Sequence, residues 1–148
     1  LLGEAIDRQR QANADPMLEH AGRIFRALTS GGFIGLSRRY DEQDAAELVA
    51  LRENGAEVRL AGMSDGTVDQ LHLALRLAYL ADYCTGNEPV PFIADDLFQT
   101  FDDARTAAAL EAMGASSALF QPIVFTHHRS VVEAAQGVFG ERADILLL

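Results

Sequence analysis

Lysine is absent. All 12 basic residues among the 148 are arginines. A phosphate-binding loop of the form G-x-x-x-x-G-K-[ST] needs its lysine on the phosphates, so this chain holds no such loop. The lysine of a two-component receiver is excluded for the same reason, although Asp95-Asp96 would otherwise suit one. Cysteine is nearly absent: Cys84 alone excludes an internal disulfide and a cysteine-built zinc site, which fits a reducing cytoplasm. Positive charge is scarce as well. A net charge of −10 excludes a general nucleic-acid surface, so any DNA contact is local or belongs to a larger protein. Long apolar runs are missing, because His72 and Arg76 interrupt the most apolar helix. No secretory signal pattern or membrane-spanning run is read in these residues, nor any internal repeat or low-complexity segment.

What is present is a 49% apolar sequence of a length suited to one domain with a substantial core. Residues 1–14 are polar and helix-compatible, with Glu4, Arg8, Arg10 and Gln11. They read as the tail of a longer helix, and the start at Leu1 reads as that of a fragment or processed half. Asp15-Pro16 then supplies an N-cap and a first helical position. Met17, Leu18, Ala21, Ile24, Phe25 and Leu28 recur at helical spacing, and Gly31-Gly32 stops the helix. Phe33–Tyr40 and Leu48–Arg52 read as strands. Glu53-Asn54-Gly55 marks a hairpin that returns as Glu57–Leu60. An antiparallel meander therefore follows the first helix.

The stretch Met63-Ser64-Asp65-Gly66-Thr67-Val68-Asp69-Gln70 runs straight into a long amphipathic helix carrying Leu71, Leu75 and Ala78. Thr67 and Gln70 have the spacing of a capping box, which marks a helix start. A glycine turn opening a helix presents free N–H groups and the positive end of the helix dipole, a ready site for a phosphate. The plainer reading is an N-cap followed by a core helix. After a loop at Gly86–Pro89, Val90–Ala94 is a buried-type strand ending in Asp95-Asp96. A helix is expected over about Asp103–Met113, and Gln121–Thr126 is a second buried strand ending in His127-His128. Val131–Val138 reads as helix and Ala143–Leu148 as a third apolar strand. This alternation argues for a parallel α/β sheet, in which ligands sit at the carboxyl ends of the strands. Asp95, Asp96, His127 and His128 all occupy such ends. Two carboxylates there suit a nucleotide-bound Mg²⁺, one acid on the metal and the next orienting a water. A turn residue and a helix cap are the structural alternative for the acids, and a hydrogen-bonded structural role for the histidines. A zinc site built from the histidines and the acids is a further alternative, although the spacing matches no structural zinc pattern.

The order of these pieces resembles the carboxy-terminal half of an ATP-binding-cassette (ABC) ATPase head of the SMC/SbcC/RecF kind. In detail it is similar to the bacterial YhaN-like AAA ATPase group, whose signature often reads L-S-D-G-T-x-D-Q-L. The resemblance implies an α/β fold, the carboxy-terminal half of a P-loop NTPase head: antiparallel meander, signature helix, then parallel strands alternating with helices. Residues 1–14 would be the end of a coiled-coil arm, and 15–148 the carboxy-terminal lobe, with the Walker A lobe absent from this chain. Ser64, Gly66 and Thr67 would read the γ-phosphate of ATP held by a second head. Asp95 would be the Walker B aspartate on Mg²⁺. Asp96 would stand where the family more often has the catalytic glutamate. Gln99–Asp102 would be the D-loop, with Asp102 at the dimer seam. His128 is favoured as the H-loop histidine on the match of His-Arg-Ser-Val-Val-Glu-Ala-Ala, with His127 kept open because the wider family reads Thr-His. Asp65 departs from the common L-S-G-G-Q, and Asp96 is one methylene shorter than glutamate.

The implied partners are the amino-terminal Walker A lobe, a second head in an ATP-bridged homodimer and, further off, DNA and a nuclease subunit. The implied activity is ATP hydrolysis in DNA repair or other DNA metabolism, with this chain alone inactive. Two other readings remain open: a non-hydrolysing ABC-derived association module, and an unrelated acidic α/β domain with a metal-dependent Asp-Asp-His site.

Overall fold

A computed structural model describes residues 15–40, 43 and 45–147. The expected arm at 1–14 lies outside the described residues. Helix α1 (Pro16–Leu28) begins where the sequence places it: the Asp15 carboxylate accepts from the N–H groups of Met17 and Leu18 at 3.1 and 3.3 Å, satisfying orphan donors of the first turn. Leu18, Ala21, Phe25 and Leu28 form its buried stripe. Gly22 lies on the same side, where an added Cβ would stand 3.0 Å from the Leu36 nitrogen and 3.3 Å from Gly35 Cα. Glycine there lets the helix lie directly on the first strand.

That strand, β1 (Gly35–Tyr40), pairs antiparallel with β2 (Ala46–Leu51), which pairs antiparallel with β3 (Glu57–Arg59). The hairpin at Asn54-Gly55 is as expected: Arg52 N–H donates to Ala56 O at 2.9 Å, and Gly55 takes φ +80°, which glycine adopts without a Cβ penalty. Phe33 stacks on Phe25 with ring centroids 5.1 Å apart, tying the strand entrance to α1.

Helix α2 (Asp65–Gly86) buries Leu71, Leu73, Ala74, Leu77, Ala78, Ala81 and Cys84. It packs along α1. Its start corrects the sequence reading. The N-cap is Ser64, whose hydroxyl accepts from Thr67 N–H at 3.4 Å, so the helix begins before Thr67. Gln70 does not fold back as the second half of a box. Its side chain is buried and donates to the Leu28 carbonyl at the end of α1, meeting an acceptor that a finished helix leaves open.

Strand β4 (Phe92–Asp95) pairs in parallel with β5 (Pro122–Phe125) through the crossover helix α3 (Asp103–Ala115), and α4 (Arg129–Phe139) follows β5. A parallel pair needs such a long connection. Helices α3 and α4 pack together, and α3 also reaches α1. Ala94 is buried, while Ile93 is 61% exposed and Phe125 46%. One face of this sheet therefore meets the core and the other is bare. The expected third strand at Ala143–Leu148 does not form: residues 143–147 have no strand pairing, and Leu146 and Leu147 are almost fully exposed. An apolar run becomes a strand only where a neighbour accepts its ladder bonds, and no described strand does so. Among the described residues, no helix is long and apolar enough to cross a membrane.

Candidate functional site

The carboxyl ends of β4 and β5 lie side by side, because the register sets Asp95 opposite Phe125. Asp96 N–H donates to Phe125 O at 3.0 Å, which prolongs the pairing by one bond and turns the chain. Asp96 takes φ +46° there, a left-handed conformation that aspartate tolerates better than most residues. Strain of this kind gathers where a backbone must aim a side chain.

Two residues beyond β5, His127 Nδ1 lies 3.0 and 3.1 Å from the two carboxylate oxygens of Asp96. An ionised carboxylate only accepts, so the ring N–H donates. The His128 ring lies against that of His127, centroids 4.0 Å apart. His128 also forms the N-cap position of α4 without a side-chain cap bond, and its N–H donates to Thr126 Oγ1 at 3.1 Å. Asp95 is exposed, and Asp96 is half-buried. Neither acid caps a helix. That task falls to Asp102, whose carboxylate accepts from Arg105 N–H at 2.8 Å at the head of α3.

An open cleft of about 310 Å³ runs from these strand ends to the first turns of α2, with Asp69, His72 and Arg76 on the helix side and Asp95, Asp96 and Thr100 on the other. The segment between β4 and α3 is pinned to α2 by two contacts. Thr100 Oγ1 donates to Asp69 Oδ2 at 2.6 Å. Gly66 presses against the same segment: an added Cβ would stand 3.0 Å from Thr100 O and 2.8 Å from Arg105 Nη1. Arg105 in turn lies 3.5 Å from Asp102 Oδ2. The glycine turn at Ser64–Thr67 and the Gln99–Asp102 segment thus form one packed unit, with Ser64 exposed and its hydroxyl 2.9 Å from that of Thr67.

No family model matches the chain. It is 30% identical over 135 residues to YhaN, an uncharacterized protein of Bacillus subtilis (strain 168), a match that covers 90% of this chain and 14% of YhaN. The chain therefore spans a small part of that relative's length. Among solved structures it is similar to the SMC head domain from Thermotoga maritima, with a TM-score of 0.57 and 23% identity over 86% of this chain and 43% of the other. It is also similar to a chain from a study of ATP-driven dimerization and DNA-stimulated activation of SMC ATPases, at TM-score 0.62 and 22% identity over 80% of this chain and 71% of that one. A third is an Smc head domain with an extended coiled coil, bound to the C-terminal domain of ScpA derived from Pyrococcus furiosus, at TM-score 0.61 and 22% identity over 81% of this chain and 30% of the other.

The chain has the fold of part of an SMC head. Within that fold the structure brings Asp95, Asp96, His127 and His128 to one edge. It places Ser64, Gly66 and Thr67 at the head of α2, against the segment that ends in Asp102. Of the first group Asp95 and Asp96 line the cleft, and its helix side is formed by Asp69, His72 and Arg76, further along α2 than Ser64–Thr67. The Asp69–Thr100 bond ties that side to the segment after β4. Sequence reasoning missed three participants: Asp69, Arg105 and Arg76. Asp69, His72 and Arg76 stand at i, i+3 and i+7 on the polar stripe of an otherwise apolar helix, and that spacing was the available signal.

Proposed function

We propose that this chain is the carboxy-terminal lobe of an SMC-like, YhaN-related ATPase head, and that ATP is hydrolysed at its strand ends once an amino-terminal lobe supplies Walker A. The observation that carries this reading is the Asp95–Asp96–His127 arrangement: adjacent carboxylates at the end of a parallel strand, the second held by a histidine from the neighbouring strand. Asp95, exposed and bearing only oxygen donors, fits Mg²⁺, a hard cation that keeps several waters and takes few carboxylates. When bound with the nucleotide, Mg²⁺ supplies charge neutralisation on the phosphates.

The remaining steps belong to this chain's own side chains. Asp96 accepts a proton from, and orients, the attacking water. His127 fixes the Asp96 carboxylate, and His128, its ring tilted against that of His127, is left to donate to the γ-phosphate. Ser64, Gly66 and Thr67 present the first N–H groups of α2 to the γ-phosphate of a nucleotide on a second head, where the helix dipole favours negative charge. Closure of two heads around ATP excludes water from the site. Asp102 and the Gln99–Thr100 segment, packed on Gly66, lie at that seam. The bare face bearing Ile93 and Phe125 suits cover by the Walker A lobe. Alone, the chain hydrolyses ATP negligibly, because it has no lysine-bearing phosphate loop. By the same kinship the whole protein works in the cytoplasm in DNA repair or other DNA metabolism, with a nuclease subunit as partner.

ATPase assays on the full-length protein test the reading. Asp95→Ala abolishes phosphate release, and Asp96→Asn lowers it by at least about a hundredfold, the usual loss for a positioned acid–base group. Nucleotide binding with no phosphate release above background, unchanged in Asp96→Asn, would instead favour an association module that binds nucleotide without turnover.

A further inference from the structure

We propose that in the nucleotide-free chain Asp96, His127 and His128 together form a site for a transition-metal dication of the zinc type. It is separate from the magnesium role given to Asp95, and mutually exclusive with the water-orienting and phosphate-contacting roles these three side chains have in the ATPase reading. One ligand atom from each of the three side chains lies within 4.8 Å of the others. The donors are two imidazoles and one carboxylate. That set matches zinc, cobalt or nickel and suits magnesium poorly, since magnesium prefers an all-oxygen shell. Zinc bonds of about 2.0–2.2 Å require ligand atoms roughly 3–4 Å apart, so zinc would draw the two exposed imidazoles in by side-chain rotation toward the half-buried Asp96. His127 Nδ1 and Asp96 are already 3.0 Å apart, with side-chain exposures of 68% and 30%.

The scaffold is built for the task. Asp96 and the histidines follow the ends of two strands whose register is fixed, and Asp96 N–H is bonded to Phe125 O across the pair. Three protein ligands at an open edge leave a fourth position for water, the arrangement of accessible rather than purely structural zinc sites. Spacing along the chain hides this site. Its ligands come from positions 96, 127 and 128 and meet only through the parallel pairing of β4 with β5.

The test uses the chain itself, stripped of metal and without nucleotide, titrated calorimetrically with zinc chloride and followed in parallel by the visible absorption of cobalt. The expected result is one ion per chain. Affinity falls by more than about tenfold in each of Asp96→Asn, His127→Ala and His128→Ala. It is unchanged in His20→Ala on α1 and in excess magnesium. The absence of binding overturns the proposal, as does binding that survives all three substitutions or is displaced by magnesium. Because nucleotide is left out, a negative result leaves the ATPase reading untouched.

Discussion

In the antiparallel meander, β2 pairs on both sides, the hairpin at Asn54-Gly55 closes locally, and Val49 and Ala50 are fully buried. In the parallel pair, β4 and β5 bond to each other, one face meets the core, and the other leaves Ile93 and Phe125 in solvent. The meander half is held by contacts this chain supplies itself. The parallel half carries the chemistry-bearing side chains on an edge that a further lobe would finish. An isolated apolar sheet face of this kind marks an interaction surface more often than an accident of folding.

Four substitutions probe that contrast, each read as a shift in the urea-unfolding free energy. Phe25→Ala removes a fully buried ring that stacks on Phe33 and is expected to cost about 3–5 kcal/mol. Gln70→Ala leaves the Leu28 carbonyl without its donor in a buried seam, at about 1–3 kcal/mol. Asp15→Ala removes the α1 cap, at about 1 kcal/mol. Ile93→Ser, on the bare face, shifts stability by less than about 0.5 kcal/mol, yet weakens association with the Walker A lobe in a pull-down of the two halves. If Ile93→Ser destabilises the free chain as much as Gln70→Ala, the contrast between a self-sufficient half and an open one is wrong.

The legible parts of this fold were those written in neighbouring residues. Asp15-Pro16 announces α1, Asn54-Gly55 announces the β2–β3 hairpin, and the apolar runs before Asp95 and His127 announce parallel strands. The misreadings have a common cause in distant partners. Thr67 and Gln70 imitate a capping box, but the acceptor for Gln70 is Leu28, 42 residues away, so the cap falls to Ser64. The run at Ala143–Leu148 has strand composition and no described strand to pair with. The candidate site divides the same way. Asp95 and Asp96 stood out as acids ending an apolar strand. The hydrogen bond that selects His127 as the partner of Asp96 depends on the β4–β5 register, which no local spacing encodes. Nor does local spacing encode the fit of Gly66 against Thr100 and Arg105, which turns a glycine turn and a loop into one unit.

The most direct test of the central claim is phosphate release from Mg-ATP by this chain alone, by a separately produced amino-terminal half, and by their mixture. The account predicts turnover in the mixture only, abolished by Asp95→Ala and by Ser64→Arg. Turnover by this chain alone, or turnover in the mixture that survives Asp95→Ala, would contradict it.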